Sequence, residues 1–514
     1  MMESFQVIET RDAFTGEPVA SVPAATAGAV RHAIDAARGA QSGWAARPLA
    51  ERLVLLDRWR AVLFQERHAL AQMVRRETGK PEAEVLAAEV ATALDLIRFY
   101  VRHAGSLLEP RRRGSGTLAL LRKRLTTTFE PWGTVAVISP WNYPLMLPVG
   151  QLAPLLAAGN AVVHKPSELT VGTASLIHAT LIEAGIPSAL AGVVHGGAAV
   201  GEALVGGGVD KEFFTGSVRA GRLVALRCAA QLIPCSLELG GSDPALVLAD
   251  ADVRVAARGI TWGRFTNAGQ TCVATKRVFV DARVADAFLH ALRAEVGRLR
   301  VRTASDTTWD VGPVIHAGAA ASLEQVVRDD AAKGVRVERP HGALASPLVA
   351  PTLLVDVPPE ARSLTEEVFG PILPVVVTTG DDDAVTRANA SPFGLSASVW
   401  SRSRTRARDV ARRLRAGTVV INDVALVAGV AEADHGGVGL SGYGRSHGAS
   451  GLFEAVRTRT LVDDVAPWAG QPWWFPYPAS RAAAFDRYLQ LTHATRFPER
   501  LRGLWPSIRL FLGW

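Results

Sequence analysis

The sequence predicts an α/β protein: a doubly wound parallel sheet followed by a second α/β block. Three observations carry that expectation. From Gly133 to Ala230, short β-branched runs alternate with helical patterns, the signature of βα units assembled into a parallel sheet. After Glu238 the alternation resumes. Ahead of both, residues 27–103 repeat apolar side chains at the three- and four-residue spacing of amphipathic helices. Sheets of this kind bind dinucleotides beyond the carboxyl ends of their strands, so the loops there are the first place to look for function.

Taken in order, the helical run resolves into Ala29–Ala40, Leu49–Phe64 and Val85–Tyr100. Gly114–Gly116 then punctuates two strand-like runs, the second ending in Leu125–Phe129, which predicts a hairpin. The first βα block reads as strand Thr134–Ile138, helix Leu145–Ala158, strand Ala161–His164 and helix Val171–Ala184. It continues with strand Gly192–His195, helix Ala198–Val205, strand Glu212–Thr215 and helix Val218–Ala230. The second block opens with strand Ala245–Leu248, helix Val253–Phe265, strand Arg277–Val280 and a helix over Ala282–Leu299. Leu364–Val377 and Thr418–Asn422 continue it. From Pro467 the character changes, and five of the 12 tryptophans fall in this tail. No internal repeat is present.

Composition bounds the class. A chain of 514 residues has room for two or three domains, and 48% hydrophobic with 20% charged residues excludes wholesale disorder. Three cysteines cannot form a disulfide framework, which points to a reducing compartment. The formal charge of +7 rests on arginine, since only six of the 56 basic residues are lysine. The clusters Arg111–Arg113 and Arg402–Arg415 lack interleaved aromatics for base stacking and read as solvated surface, so no nucleic-acid partner is expected. Met1–Asp12 does not read as a secretory leader. The longest apolar stretch, Leu145–Val163, is interrupted by Pro148, Gly150, Pro154 and Gly159, short of the ~20 residues of a membrane span. The expectation is a cytoplasmic protein.

Candidate chemistry begins with the cysteines. Cys228 and Cys235 sit in apolar context and read as inert core residues, whereas Cys272 stands on a Gly-containing turn between a helix and a strand. A thiol so placed can meet backbone amides that favour the thiolate. No Cys-x-x-Cys or His-x-Cys spacing suggests a metal, and none is expected. Glu238 is flanked by leucines, where apolar surroundings raise a carboxyl pKa toward that of a general base. Asn142 follows one strand and precedes a helix, where its amide could donate to an oxyanion. Lys165 and Glu168 end a strand where ribose hydroxyls would lie, and Gly216, Ser217 and Gly221 open a helix whose amides suit phosphates. Taken singly, each has a plain structural reading as core residue, cap or turn. Gly437-x-Gly439-x-x-Gly442 matches a dinucleotide fingerprint literally, but no βα run follows, so it reads as a loop.

In order along the chain stand Pro140-Trp141-Asn142-Tyr143-Pro144, His164–Glu168, Phe214-Thr215-Gly216-Ser217, Glu238-Leu239-Gly240-Gly241, Gly269-Gln270-Thr271-Cys272 and Glu366–Pro371. This set resembles the NAD(P)-dependent aldehyde dehydrogenase superfamily from about Thr10 to about Leu461. The resemblance implies an aldehyde dehydrogenase-like fold: a cofactor domain (1–106 and 131–238), a catalytic domain (239–441), and a β-hairpin oligomerisation arm. The arm is 107–130 with part of 442–462, and 463–514 is a Trp- and Arg-rich extension. It implies Cys272 as nucleophile, Glu238 as the base that activates water, and Asn142 sharing the oxyanion site with the Cys272 amide. Lys165, Glu168, Gly216, Ser217 and Gly221 would hold the adenine end of the cofactor, with Glu367, Phe369 and Trp141 at its nicotinamide end. NAD is favoured over NADP because Glu168 would repel a 2′-phosphate.

The substrate implied is an aldehyde, and a homodimer or homotetramer is the expected assembly. Asn142–Leu145, Gly269–Ala274 and Gly442–Gly448 are similar to the class-three, fatty-aldehyde and coniferyl-aldehyde branch. The N-terminal segment Arg11–Ser42 is more similar to the succinate-semialdehyde branch. Asp434-His435-Gly436-Gly437 stands where the family commonly has Pro-Phe-Gly-Gly, which removes an aromatic near the substrate entrance. Rival readings are a CoA-acylating enzyme, which Glu238 disfavours, and an idle binding protein on the same fold. The tail, with six arginines against two acids from Arg481 onward, is expected to pack on a neighbouring subunit in preference to a membrane surface.

Overall fold

The computed structural model describes residues 6–114, 123–424, 426–465, 471 and 473–512. The chain falls into two compact units, one of residues 1–107 with 131–456 and one of 108–130 with 457–514. The two α/β blocks therefore belong to one unit, and the division expected between cofactor and catalytic domains at residue 238 is a boundary between sheets within it.

The first sheet runs Gly442–Tyr443, Cys235–Glu238, Lys211–Thr215, Thr134–Ile138, Ala161–Lys165, Ala191–Val193. All pairings are parallel except that of Gly442–Tyr443, which lies antiparallel on Cys235–Glu238. The chain winds outward from Thr134–Ile138 to one side and then returns to build the other. The switch point thus lies between Thr134–Ile138 and Lys211–Thr215, where the carboxyl ends open a crevice. The second sheet runs Arg336–Glu338, Thr352–Val355, Ile372–Thr378, Thr275–Asp281, Asp243–Val247, Ser396–Trp400, Thr418–Ile421. It is parallel but for its first strand. The literal glycine fingerprint is a loop only in part: Gly439–Ser441 is a 3-10 turn, and Gly442–Tyr443 is an edge strand of the cofactor sheet. The N-terminal hairpin of Val7–Arg11 and Pro18–Pro23 carries no strict alternation and was not expected.

Buried carboxylates hold the helix starts. The helix Val171–Glu183 has no cap of its own. Glu77 supplies one, accepting from the amides of Gly172 (2.8 Å) and Thr173 (3.0 Å), from the Thr173 hydroxyl (2.6 Å) and from Thr10 Oγ1 (2.8 Å). A carboxylate there complements the helix dipole. Glu89 does the same for Met146–Ala158, accepting from the Leu145 and Met146 amides at 3.1 and 2.9 Å. Glu89 lies in a π-helical segment, Val85–Ala91, and pairs with Lys80; both side chains are wholly buried. Lys80 also donates to the Asn142 carbonyl at 2.6 Å and stands 3.9 Å from the Tyr143 ring centroid.

In the second unit, Arg111–Gly114 pairs antiparallel with Lys123–Pro131, and Val456–Asp464 lies on the other side, giving a three-stranded sheet. The hairpin turn, 115–122, lies outside the described residues. The sequence set residues 463–514 apart from this arm. The structure joins them, because Lys123 pairs with Asp464 at 2.6 Å and lies 5.9 Å from the Trp473 ring. Helices Ser480–His493 and Phe497–Leu512 pack together, and Gly503 allows it: a Cβ there would come within 2.2 Å of the Arg487 carbonyl. No described helix is long and apolar enough to cross a membrane.

Removing Lys80 leaves Glu89 buried without its counter-charge, which costs about 3–5 kcal/mol. Lys80→Met is expected to lower the urea midpoint sharply, and Lys80→Met/Glu89→Gln to recover much of the loss. A double variant as unstable as the single one would refute this account.

Candidate active site

Most of the loops that the sequence singled out arrive at one cavity of about 290 Å³. Trp141 and Asn142 come from beyond Thr134–Ile138, Gly216 and Ser217 from beyond Lys211–Thr215, and Glu238 from the end of its own strand. The second sheet contributes Cys272, Glu367 and Phe369 from loops that lead into its strands. Lys165 and Glu168 line a separate cleft of about 400 Å³ with Ile138, Val205, Phe214 and Leu223.

The turn before Cys272 is strained. Asn267, Ala268 and Gly269 take φ of 50°, 51° and 75° in succession, and Ala268 is a residue that avoids this region. Side chains hold the turn in place. Asn267 Nδ2 donates to the Asn142 carbonyl at 3.0 Å and to the Gln270 carbonyl at 3.1 Å, and Gln270 Oε1 accepts from the Ile315 amide at 2.8 Å. On the far side, Lys276 Nζ donates to the carbonyls of Thr271 (2.8 Å) and Cys272 (2.7 Å). Asn142 Nδ2 donates to the Gln270 carbonyl at 3.1 Å, which ties the amide beyond the first sheet to the Cys272 turn of the second.

The reactive groups rest in their neutral forms. Burial pushes the Cys272 thiol up to about 12; Lys276 opposes this, and Asp243, Glu238 and Glu367 add to it. Burial likewise holds the Glu238 carboxyl well above the ordinary carboxylate range, against the pull of Arg445 and with Glu454 adding. Neither Glu238 oxygen has a hydrogen-bond partner among the described residues. A buried carboxyl so little engaged by protein is poised to meet a water or substrate.

The residues expected at the cofactor fit a dinucleotide in most respects. Glu367 accepts from the Gly241 amide (3.2 Å) and lies 3.6 Å from Lys276 Nζ. Trp141 and Phe369 meet edge to face, centroids 5.8 Å apart. Ser217 caps the helix Val218–Ala230, accepting from the Ala220 amide, so that helix presents its amino end to the crevice. Gly216 leaves no room for a side chain, since a Cβ would meet the Phe214 ring at 2.6 Å. Lys165 Nζ lies 3.7 Å from the half-exposed Glu168 carboxylate. Gly221 is the exception: it lines neither cavity and packs on Leu239, where a Cβ would fall within 2.5 Å. The close packing of this helix on Leu239 is what the glycine permits.

Cys235 is also not the inert core residue expected. It is half-buried, its sulfur lies 3.0 Å from the Tyr443 hydroxyl, and hydrogen bonding by the Cys228 thiol lowers its pKa, with Tyr443 and Lys211 contributing. Sequence reasoning missed Lys80, Glu89, Lys276 and Arg264. The last donates from deep burial to the Val368 carbonyl at 2.9 Å and so holds the Glu367 loop. The signal for the lysines lay in their rarity, six among 56 basic residues.

Thiolate is the form that alkylates. Near neutral pH, with no cofactor, iodoacetamide is expected to label Cys235 well before Cys272, and Cys272 labelling to climb steadily toward alkaline pH as its raised pKa is approached. Peptide mapping reads both; rapid labelling of Cys272 near pH 7 would contradict the resting state described.

Known proteins share this architecture. A Mycolicibacterium smegmatis protein named as a candidate succinate-semialdehyde dehydrogenase [NADP(+)] is 37% identical over 458 residues, 88% of this chain and 87% of that protein. The Mycobacterium tuberculosis aldehyde dehydrogenase complexed with NAD+ superimposes with a TM-score of 0.85 at 30% identity, covering 89% of this chain and 95% of that one. The NADP-dependent glyceraldehyde-3-phosphate dehydrogenase of Bacillus halodurans, complexed with NADP, does so with a TM-score of 0.85 at 32% identity, covering 90% and 97%. The profile of the Aldehyde dehydrogenase family matches residues 1–461. A match that spans both sheets and the arm, and stops ahead of the helical tail, shows that the chain belongs to the aldehyde dehydrogenase family.

Proposed function

We propose that this enzyme oxidises an aldehyde to its carboxylate through covalent attachment to Cys272. The observation that carries the proposal is the meeting of Cys272, Asn142 and the unpartnered Glu238 carboxyl at one cavity. The Cys272 sulfur, once deprotonated, attacks the aldehyde carbon. The oxygen that becomes negative is held by the Asn142 amide and the Cys272 backbone N–H. Such donors are worth ~10²–10³ in rate each. An oxidised nicotinamide held by Glu367, Phe369 and Trp141 would supply the acceptor for the hydride that the Cys272 adduct must lose to become a thioester. Glu238, once it has given up its own proton, takes one from the water that attacks the thioester carbonyl and returns it to the departing Cys272 sulfur, so that the thiol is restored and the acid leaves as its carboxylate with its proton passing to solvent.

Lys165 and Glu168 would hold the adenine-side ribose, Gly216 and Ser217 the pyrophosphate, and Glu367 with Phe369 and Trp141 the nicotinamide end. The relatives are named or complexed with NADP+, NAD+ and NADP, and either dinucleotide is the cofactor we assign. Glu238 has no part in a reaction that coenzyme A would complete, so hydrolysis is the favoured resolution. The three-stranded arm is assigned to self-association: sedimentation at micromolar concentration is expected to show a species larger than the 54.6 kDa chain, and a clean monomer would overturn that assignment.

Cys272→Ala is expected to abolish NADH formation, and Asn142→Ala to lower kcat ~10²–10³-fold. Glu238→Gln is expected to give one fast equivalent of NADH per site and then stall, because acylation survives while hydrolysis does not. Wild-type turnover by Cys272→Ala, or full steady-state turnover by Glu238→Gln, would overturn the mechanism.

A further inference from the structure

A second cavity of about 290 Å³ reaches Cys272 by its own route. Cys272, Leu147, His435 and His447 belong to both cavities, so the two imidazoles stand at the junction beside the nucleophile. The remaining wall is largely apolar, with Ala88, Met146, Trp262, Val273 and Ala428. No lysine, arginine, aspartate or glutamate is among its described lining residues. Three of its four hydroxyls are already engaged: Thr92 donates to the Ala87 carbonyl at 3.3 Å, and Tyr143 and Thr271 bond each other at 2.9 Å.

The two histidines are different. Their rings stack with centroids 5.7 Å apart, and they are only 4% and 2% exposed. The Nδ1 atoms of both lack any partner, and neither ring makes a hydrogen bond to a described residue. Burial lowers their pKa values to about 4 for His435, with Arg445 adding, and to about 3 for His447, with His435 adding. Both therefore offer a donor and an acceptor without charge. Arg445, the cation nearest His435, is turned to the carbonyls of Gly437 (3.2 Å) and Gly444 (2.6 Å). Two buried polar rings without partners on the wall of a reaction cavity call for a ligand that satisfies them.

We infer that this second cavity is the aldehyde's site, that it takes an uncharged and largely apolar chain, and that His435 and His447 bind an oxygen the aldehyde carries within a few carbons of its carbonyl. The inference rests on the aldehyde-oxidation reading above. An ω-carboxylate, such as that of succinate semialdehyde, would enter a wall with no cation to meet it, and an unpaired buried charge is strongly disfavoured. A hydroxyl near the carbonyl would instead meet two unengaged imidazoles.

The test compares kcat/KM for hexanal, 2-hydroxyhexanal, 3-hydroxyhexanal and 6-oxohexanoate in the full-length enzyme, His435→Phe and His447→Phe. Ratios between aldehydes within one preparation cancel any loss of folded protein. In the wild type, at least one hydroxyaldehyde is expected to exceed hexanal by ~3- to 10-fold, the worth of a net hydrogen bond. The 6-oxohexanoate value is expected to fall at least ~100-fold below hexanal. Either phenylalanine variant should bring the hydroxyl ratio close to one while hexanal is still oxidised. Hydroxyl ratios near one in the wild type, ratios unchanged in both variants, or 6-oxohexanoate as the better substrate would each overturn the inference and leave aldehyde oxidation standing. No Cys272-dependent turnover of any of the four would instead overturn the aldehyde-oxidation reading on which it rests.

Discussion

A single buried ammonium lies behind much of the site. Lys80, joined to Glu89 and to the Asn142 carbonyl, sits where three things must meet: the end of the helix Arg67–Thr78, the π-helical segment and the loop that carries Asn142. Through Glu89 the same pair fixes the start of the helix that follows that loop. Asn267 reaches the same Asn142 carbonyl from the nucleophile turn. One carbonyl thus receives donors from both halves of the machinery. A charge pair buried this completely is costly to assemble and costly to break, which is why it can hold loops from two different sheets in one register.

Around that anchor the site keeps its reactive groups quiet. The thiol and the carboxyl are both shifted toward their neutral forms by burial, while the turn that presents the thiol runs through three left-handed residues. Strain of this sort persists only when neighbours over-determine it. Here the bonds that hold it are those of Asn267 and Lys276 to backbone carbonyls and of the Ile315 amide to Gln270 Oε1. Reactivity then waits on what enters the cavity.

The two approaches to Cys272 differ in character. The crevice side offers Glu367 paired to Lys276 and, in its own cleft, Lys165 with Glu168, groups suited to riboses and phosphates. The second cavity offers apolar walls and two uncharged rings. The two cavities share Leu147, Cys272, His435 and His447 and differ in the rest of their walls. Outside the α/β unit, the tail leaves Trp474, Phe475, Tyr477, Phe497 and Trp505 more than half exposed.

The parallel βα order was legible in the sequence because each unit is a local pattern: a short β-branched strand, a loop and a helix of period 3.6. Helices Ala198–Val205, Val218–Ala230 and Val253–Phe265 begin and end where those patterns do. The motif residues were legible too, since order along the chain and residue type suffice to pick out Cys272, Glu238 and Asn142. The buried lysines could have been suspected. In a chain whose positive charge is almost entirely arginine, a remaining lysine marks a place where a compact ammonium with three rotatable donors is needed. Four of the six, Lys80, Lys165, Lys211 and Lys276, are at most 5% exposed. What only the tertiary structure decided is which partners those groups meet. Gly221 looks like a phosphate contact until Leu239 is found against it, Cys235 looks inert until Tyr443 reaches it from 208 residues away, and His435 is only a departure from a motif until His447 stacks on it. Partners distant in sequence leave no local pattern, because their contact is set by packing and not by the period of any helix or strand.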